Sequence, residues 1–280
     1  MTRDLFPDGF RYGGAVLYGG LTASRLGFQV ELLTSSAETE IQEFFPEISI
    51  CNMPSSQTTL FRNEQKIHCS GLGDRVQTVS GQALPIPADL LKEAAAGADI
   101  VHIAPVLHEI EPADLAGLTA HFLVANPQGW FRQVDANGIV RAVSPSDIET
   151  WPHFHAVVLS ENDIARDWGL AEELAAITDL LVVTRGAAGA KAYYQGVIWD
   201  LEAHAASRVV DTTGAGDIFA AALFSALYYG NHPLKALEFA SCLAAQGLAR
   251  FGLDSVPGED EIRRCLSRTG CDIPPLFRVL

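Results

Sequence analysis

A single carboxylate, Asp217, follows two closely spaced glycines, Gly214 and Gly216, at the point where a polar turn becomes an alanine-rich helix pattern. The stretch reads Val209-Val-Asp-Thr-Thr-Gly-Ala-Gly-Asp-Ile-Phe-Ala-Ala-Ala-Leu-Phe-Ser-Ala-Leu227. The first turn of a helix carries backbone N–H groups without intrahelical partners, and the aligned peptide dipoles leave partial positive charge there. Gly214 and Gly216 lack a Cβ, so the main chain there is open to close approach by an anion. A carboxylate in such a nest repels a phosphate, unless its task is to take a proton from a nucleophile while the N–H groups hold the developing charge. That combination suits phosphoryl transfer to a hydroxyl. The plainer alternative is that Asp211 and Thr212 cap a helix and the glycines only shape a turn.

These residues need a scaffold that ends a strand and begins a helix at one place. Val209 and Val210 read as the end of such a strand. From Pro87 onward the pattern alternates. Helical segments fall at Ala88 to Gly97, Ala113 to Leu118 and Glu161 to Ile177, and apolar strands at Ile100 to Ala104, His121 to Ala125, Ala156 to Leu159 and Leu180 to Thr184. A hairpin of Ala190 to Tyr194 with Val197 to Trp199 turns about Gln195-Gly196. Near-continuous apolar strands separated by helices predict a parallel, doubly wound α/β sheet, in which ligands sit beyond the C-terminal strand ends. Nearer the start, Tyr12 to Gly27 reads as a helix opened by a glycine pair and closed by Gly27, with a strand at Gln29 to Thr34. Ser56 to Arg62 and Lys66 to Cys69 flank Asn63-Glu-Gln65 as a hairpin, with Arg75 to Val79 as a third short strand. Pro233 to Phe251 and Gly258 to Leu266 read as the last two helices.

The 280 residues are 48% hydrophobic and 19% charged, enough for a full core in one domain spanning 1–280. A net charge of −15 opposes nucleic acid and anionic membrane as partners, because both would repel this surface. A small neutral substrate and a magnesium nucleotide remain compatible. The sequence has no apolar run of about 18 to 20 residues and no signal-peptide pattern at its start, which leads to the expectation of a cytoplasmic protein. Cys51, Cys69, Cys242, Cys265 and Cys271 are widely spaced, so neither a disulfide framework nor a zinc site is expected, and they read mostly as buried thiols. His153 and His155 have no third ligand nearby and read as surface or loop residues.

The full pattern Asp211-Thr-Thr-Gly-Ala-Gly-Asp217 resembles the signature near the C-terminus of the ribokinase-like, or PfkB, family of carbohydrate and nucleoside kinases. The resemblance implies a ribokinase-like α/β fold flanked by helices, with a small β lid from about 56–80. It implies Asp217 as catalytic base, the amides of Gly214, Ala215 and Gly216 as anion hole, and ATP with Mg2+, with room for a monovalent cation. Thr184-Arg-Gly-Ala-Ala-Gly189 resembles the loop that approaches the nucleotide phosphates, which adds Thr184, Gly186 and Gly189 to Asp211 and Thr212 as donor-binding candidates. A tight strand-to-hairpin turn explains the same letters. Phe251 to Pro257 resembles the loop that walls the adenine pocket.

Gly13 and Gly14 match the glycine pair of the family's N-terminal signature, although the Asn that usually follows is replaced by Tyr18 or Gly19. Thr2-Arg-Asp4 resembles the tail of a substrate-gripping segment without the strand that normally precedes it, which makes Asp4 a substrate-binding candidate or a disordered terminal residue. Asn126-Pro-Gln-Gly-Trp-Phe-Arg132 resembles a Gln-Gly-x-x-Arg element of some sugar kinases and equally fits plain turn chemistry. Ser160-Glu-Asn-Asp163 stands where the family has Asn-x-x-Glu to organise magnesium; a helix N-cap explains it too, and Asp163 is the metal candidate. The expected substrate is a sugar, polyol or nucleoside. A lid of this kind either covers its own site or pairs with another copy across an exposed edge, which leaves a homodimer open. The alternative function is a relative that keeps the fold and binds without catalysis. A dehydrogenase is set aside because no Gly-x-Gly-x-x-Gly follows a first strand.

Overall fold

The computed structural model describes residues 1–68 and 71–274, and for 64–75 it describes no side chains. In chain order the elements are β1 (Thr2–Phe6), β2 (Gly9–Gly13), α1 (Ala15–Arg25), β3 (Glu31–Ser36), the single turn α2 (Ile41–Phe44), β4 (Ser49–Pro54), β5 (Thr59–His68), β6 (Gly71–Gly81) and α3 (Ala88–Ala95). They continue with β7 (Ile100–Ile103), β8 (Phe122–Ala125), β9 (Arg132–Val134), β10 (Val140–Ala142), β11 (Ala156–Ser160), α4 (Trp168–Ala176) and β12 (Leu180–Thr184). The last elements are β13 (Ala190–Tyr194), β14 (Val197–Leu201), α5 (Ala215–Tyr228), α6 (Pro233–Gly247) and α7 (Glu259–Thr269).

The central sheet has the order β14-β13-β12-β11-β8-β7. Strands β7, β8, β11 and β12 are mutually parallel, and β13 and β14 close one edge antiparallel. Successive residues of the apolar strands feed opposite cores. Ala156, Val158, Leu180 and Val182 pack with Leu17, Phe224, Phe239 and Ile262 from α1, α5, α6 and α7. Val157, Leu159, Leu181 and Val183 pack with Leu91, Leu170 and Leu174 from α3 and α4 on the other face. Burial on both faces is what makes these strands continuous apolar runs rather than alternating ones.

A second sheet has the order β2-β1-β5-β6, and β3 and β4 pair parallel as a two-stranded sheet. Segment 56–80 therefore supplies only half of the small sheet expected from it. The other half is the N-terminal hairpin, so Thr2-Arg-Asp4 is a strand and not a loose tail. The turn expected at Asn63-Glu-Gln65 is not there, because β5 runs straight through it. Asn63 lies opposite Gln77 and accepts from Gln77 Nε2 at 2.8 Å, so polar letters that resemble a turn are a cross-strand amide pair. The expected strand at Lys66 to Cys69 ends at position 69, outside the described residues.

Other expectations also yield to tertiary context. Val209 and Val210 form no strand; they are 63% and 41% exposed, and Val210 N–H is used by Leu248 O at 2.7 Å. The helix expected from Glu161 begins only at Trp168, capped by the Asp167 carboxylate. Ala165 and Arg166 before it sit at positive φ, which a continuing helix does not allow. Helix α6 stops at Gly247, where a Cβ would stand 2.6 Å from Ser255 O. The described residues include no helix long and apolar enough to cross a membrane.

The cysteines depart from expectation as well. Cys242 and Cys265 form a disulfide, with Cα atoms 5.8 Å apart, because α6 and α7 pack with those two faces together; a spacing of 23 residues carries no signal of it. Cys271 is a buried thiol and Cys51 an exposed one, while Cys69 lies outside the described residues. A bridge closing a loop of this length contributes about 3 kcal/mol through chain entropy. Thiol titration of the unreduced, denatured protein is expected to find two fewer reactive groups than after reduction, and reductant is expected to lower the unfolding free energy by about that amount.

Candidate active site

The site is built where α5 starts. Gly214 caps the helix in the left-handed region at φ 78°, and Ile218 N–H closes the first turn onto Gly214 O at 2.9 Å. A Cβ on Gly214 would overlap the ring of Tyr18, which is buried in α1. The glycine is thus required twice, by its backbone angle and by the ring it rests on. Gly216, by contrast, meets nothing within 4 Å, so its surface is open. Ala215 N–H donates to Thr212 O at 3.3 Å, and Asp217 is the acidic residue of the first turn.

Asp217 Oδ1 accepts from Asn126 Nδ2 at 2.7 Å. Asn126 is buried directly after β8, where its own N–H bonds Ile103 O at 3.0 Å. Loss of water pushes the Asp217 carboxyl up to about 7, opposed by the Arg132 guanidinium and the Asn126 hydrogen bond and helped by the charges of Asp163 and Asp4. Four distant segments therefore converge on the α5 carboxylate: Asp4 of β1, Asn126 after β8, Arg132 of β9 and Asp163 after β11. Asp4 is buried, and a Cβ on Gly13 would stand 2.8 Å from its Oδ2. Gly14, at φ 92°, would bring a Cβ to 3.1 Å from Thr2 N. Gly13 thus leaves room for the Asp4 carboxylate and Gly14 for the Thr2 backbone, where the end of β2 lies beside the start of β1.

The donor-binding candidates line the same end of the sheet. Thr184 Oγ1 donates to Leu159 O at 3.2 Å and joins β12 to β11. Gly186, at φ 56°, is open on its Cβ side, whereas a Cβ on Gly189 would overlap Leu201 O of β14, so the second glycine answers to the hairpin. Asp211 uses both oxygens on the backbone, accepting from Thr213 N–H at 2.9 Å and Gly252 N–H at 3.2 Å, while Thr212 is exposed. Gly252 starts the turn Gly252–Ser255, whose neighbour Phe251 meets Phe6 edge-on at 5.3 Å. The Arg11 guanidinium lies over both rings, at 4.5 Å and 4.9 Å.

Asp163 Oδ2 accepts from Ser160 N–H at 2.8 Å and from Ser160 Oγ at 2.7 Å, and Asp163 N–H returns to Ser160 Oγ at 3.2 Å. This is a closed turn and not the helix cap expected there. Among the described residues no group of three or more His, Cys, Asp or Glu is placed to hold a metal. Magnesium is commonly held by one or two carboxylates plus substrate phosphates, so Asp163, whose charge acts on Asp217, fits such an ion. His153 is exposed and bonds Asp179 at 3.0 Å, as a surface residue would. The residues that sequence reading did not single out are His102, 2.6 Å from Asn126, and the contact of Tyr18 with Gly214. The signal for His102 was a single polar residue inside the apolar run Ile100 to Ala104.

A glycine-capped helix above the C-terminal ends of a doubly wound sheet, with a four-stranded sheet carrying an acidic residue toward it, defines a ribokinase-like kinase fold. A pyrophosphate-dependent kinase in the ribokinase family, complexed with a pyrophosphate analog and myo-inositol, matches with a TM-score of 0.76 and 18% identity over 94% of this chain and 96% of that one. Ribokinase from Thermotoga maritima matches with a TM-score of 0.70 and 18% identity, over 95% of this chain and 96% of that one. A nucleoside kinase from Burkholderia thailandensis in complex with inosine matches with 0.68 and 17%, over 94% and 88%. At such identities the likeness is one of fold. Comparison with curated proteins found no match. The family described as pfkB family carbohydrate kinase matches residues 90–258, more than half of the sequence, and the chain belongs to it. It is a carbohydrate kinase, a phosphotransferase with an alcohol group as acceptor.

Two outcomes follow from this geometry. Gly214→Ala must displace the Tyr18 ring and hold a left-handed residue, so it is expected to unfold at markedly lower temperature than wild type, whereas Gly216→Ala is not. The folded Asp217 carboxyl titrates near 7 against 3.8 in the unfolded chain. The native state therefore holds the extra proton between those values, and stability falls as pH rises through that window. Asp217→Asn removes the penalty, so its melting temperature is expected to exceed wild type by more at pH 8 than at pH 4.5.

Proposed function

We propose that this kinase transfers the terminal phosphoryl group of ATP or pyrophosphate to a hydroxyl of a sugar, polyol or nucleoside, with Asp217 as the base. The observation that carries this reading is one enclosed carboxylate at a glycine-capped helix start, held at one oxygen by Asn126 and leaving the other for the acceptor. The acceptor O–H gives its proton to Asp217, its oxygen bonds the terminal phosphorus, and the bond from that phosphorus to the bridging oxygen breaks, releasing ADP or phosphate. A carboxyl that titrates near 7 suits a base that takes a proton and gives it up each cycle.

The amides of Gly214, Ala215 and Gly216 face the developing charge on the phosphoryl oxygens. Asp4, with Gly13 and Gly14 beside β1 at the end of β2, binds the acceptor hydroxyls. Thr184, Gly186 and Gly189 border the donor, and Asp211 and Thr212 hold the loop that meets it. Magnesium bound through Asp163 and waters would neutralise donor charge. Pyrophosphate stands beside ATP because a structural neighbour is a pyrophosphate-dependent kinase, and that neighbour's myo-inositol, with the inosine of another, places cyclitols and nucleosides among the acceptors to try. The turning of Asp163 onto Ser160 is the one feature that favours a binding protein without catalysis.

Turnover is measured with ATP and with pyrophosphate against pooled sugars, polyols, cyclitols and nucleosides, in magnesium. Wild type is expected to turn over with one pool, and Asp217→Asn to lose about 10²- to 10⁴-fold in kcat while binding the donor nearly as wild type. Equal turnover in the variant would remove Asp217 as base, and silence of wild type with donor still bound would favour the binding protein.

A further inference from the structure

Asp217 does not end the hydrogen-bonded chain that Asn126 begins. His102 of β7 approaches Asn126 Oδ1 with Nε2 at 2.6 Å, and Asn126 Nδ2 reaches Asp217 Oδ1 at 2.7 Å. The three side chains come from β7, from the end of β8 and from α5, and β7 and β8 are paired neighbours. We propose that His102 is a positioning residue for Asp217: its Nε2–H holds the Asn126 amide with the NH2 group turned toward the base, so that the carboxylate stays ionised and aimed at the acceptor. The inference rests on the reading of Asp217 as base.

The polarity of the chain follows from its charged end. A carboxylate only accepts, so Asn126 must present Nδ2–H to it, and its Oδ1 then faces His102 as an acceptor. His102 must meet that oxygen with a proton. Burial pushes the imidazole down to about 4, so at neutral pH the ring is uncharged and has one N–H, which the chain assigns to Nε2. The ring is caged. Its edge meets Phe224 of α5 with centroids 5.0 Å apart, and a Cβ on Gly19 of α1 would stand 3.5 Å from Cε1. Gly19, one position beyond Tyr18, thus lies against the imidazole on the same helix that braces Gly214.

One other polarity exists. A protonated Asp217 can donate to Asn126 Oδ1, the amide turned over to give Nδ2–H to a His102 that carries its proton on Nδ1. A fixed Nε2–H disfavours that arrangement, because it would meet the Asn126 NH2 donor against donor. Asn126 is 6% exposed, so an amide without the His102 proton has no water to meet its oxygen and turns more readily. The other groups facing Asp217 are Arg132 from β9, Asp163 from the turn after β11 and Asp4 from β1, with Tyr18 of α1 against its loop.

The test begins on wild type. Nitrogen-15 NMR of histidine-labelled protein is expected to show one imidazole as the neutral Nε2–H tautomer from pH 6 to 8, lost in His102→Gln; a neutral Nδ1–H form there overturns the proposal. Kinetics then separate positioning from packing. His102→Leu is expected to move the acidic limb of kcat/KM upward by about one pH unit, the scale of one hydrogen bond to an ionised group. His102→Gln, whose amide can donate to the same oxygen, is expected to keep the wild-type limb. A folded His102→Leu with an unmoved limb overturns the proposal, and so does a His102→Gln limb displaced as far as that of Leu. Asp217→Asn run alongside distinguishes the two levels. If that variant keeps wild-type turnover, the base reading fails; if it falls by about 10²- to 10⁴-fold while the His102 limbs stay put, only the positioning role fails. Should His102→Leu not fold, the tautomer and the His102→Gln profile decide.

Discussion

An ionised carboxyl taken out of water must be met by donors, or it keeps its proton. Asp217 lies at that boundary. Enclosure drives its titration toward neutrality, and two neighbouring carboxylates, Asp4 and Asp163, drive it the same way. Against them stand the Arg132 guanidinium and the Asn126 amide. The arrangement is costly to fold, because like charges are gathered where solvent screens them least. Chains keep such costs at working sites, where a group that titrates near the operating pH is useful.

The same constraint explains why so many remote segments meet here. No single helix or strand could supply a carboxylate, its donor, a countercharge and a second acidic group in the space around one side chain. The parallel sheet solves this by ending β8, β11 and β12 at one rim, while the β1–β2 hairpin brings Asp4 from the small sheet. Glycines make the approach possible. Gly13 leaves room for the Asp4 carboxylate, and Gly214 lets the α5 cap rest on the Tyr18 ring.

What the sequence made legible is what local pattern determines. Apolar runs such as Leu180 to Thr184 declare strands because both their faces are buried, and Gly214 declares a helix cap because few other residues fit there. Where a residue's role depends on a partner far along the chain, local pattern misleads. Val209 and Val210 have β propensity and no strand to pair with, and Asn63 looks like a turn residue until Gln77 lies opposite. The Cys242–Cys265 bridge exists only because two helices pack face to face. Asn126 was visible as a polar residue at a strand end, but its bonds to His102 and Asp217 join residues 24 and 91 positions away, beyond the reach of any local pattern.

The stack of Phe6, Arg11 and Phe251 has a thermodynamic meaning. Phe6 and Arg11 belong to the hairpin that carries Asp4, and Phe251 precedes the turn that Asp211 grips through Gly252 N–H. The N-terminal hairpin on one side and the Asp211–Gly252 loop on the other are therefore fastened to each other. A molecule that shifts one side does work on the other through this clasp, and free-energy linkage makes the exchange symmetrical: whatever the first occupant adds to the affinity of the second, the second returns to the first.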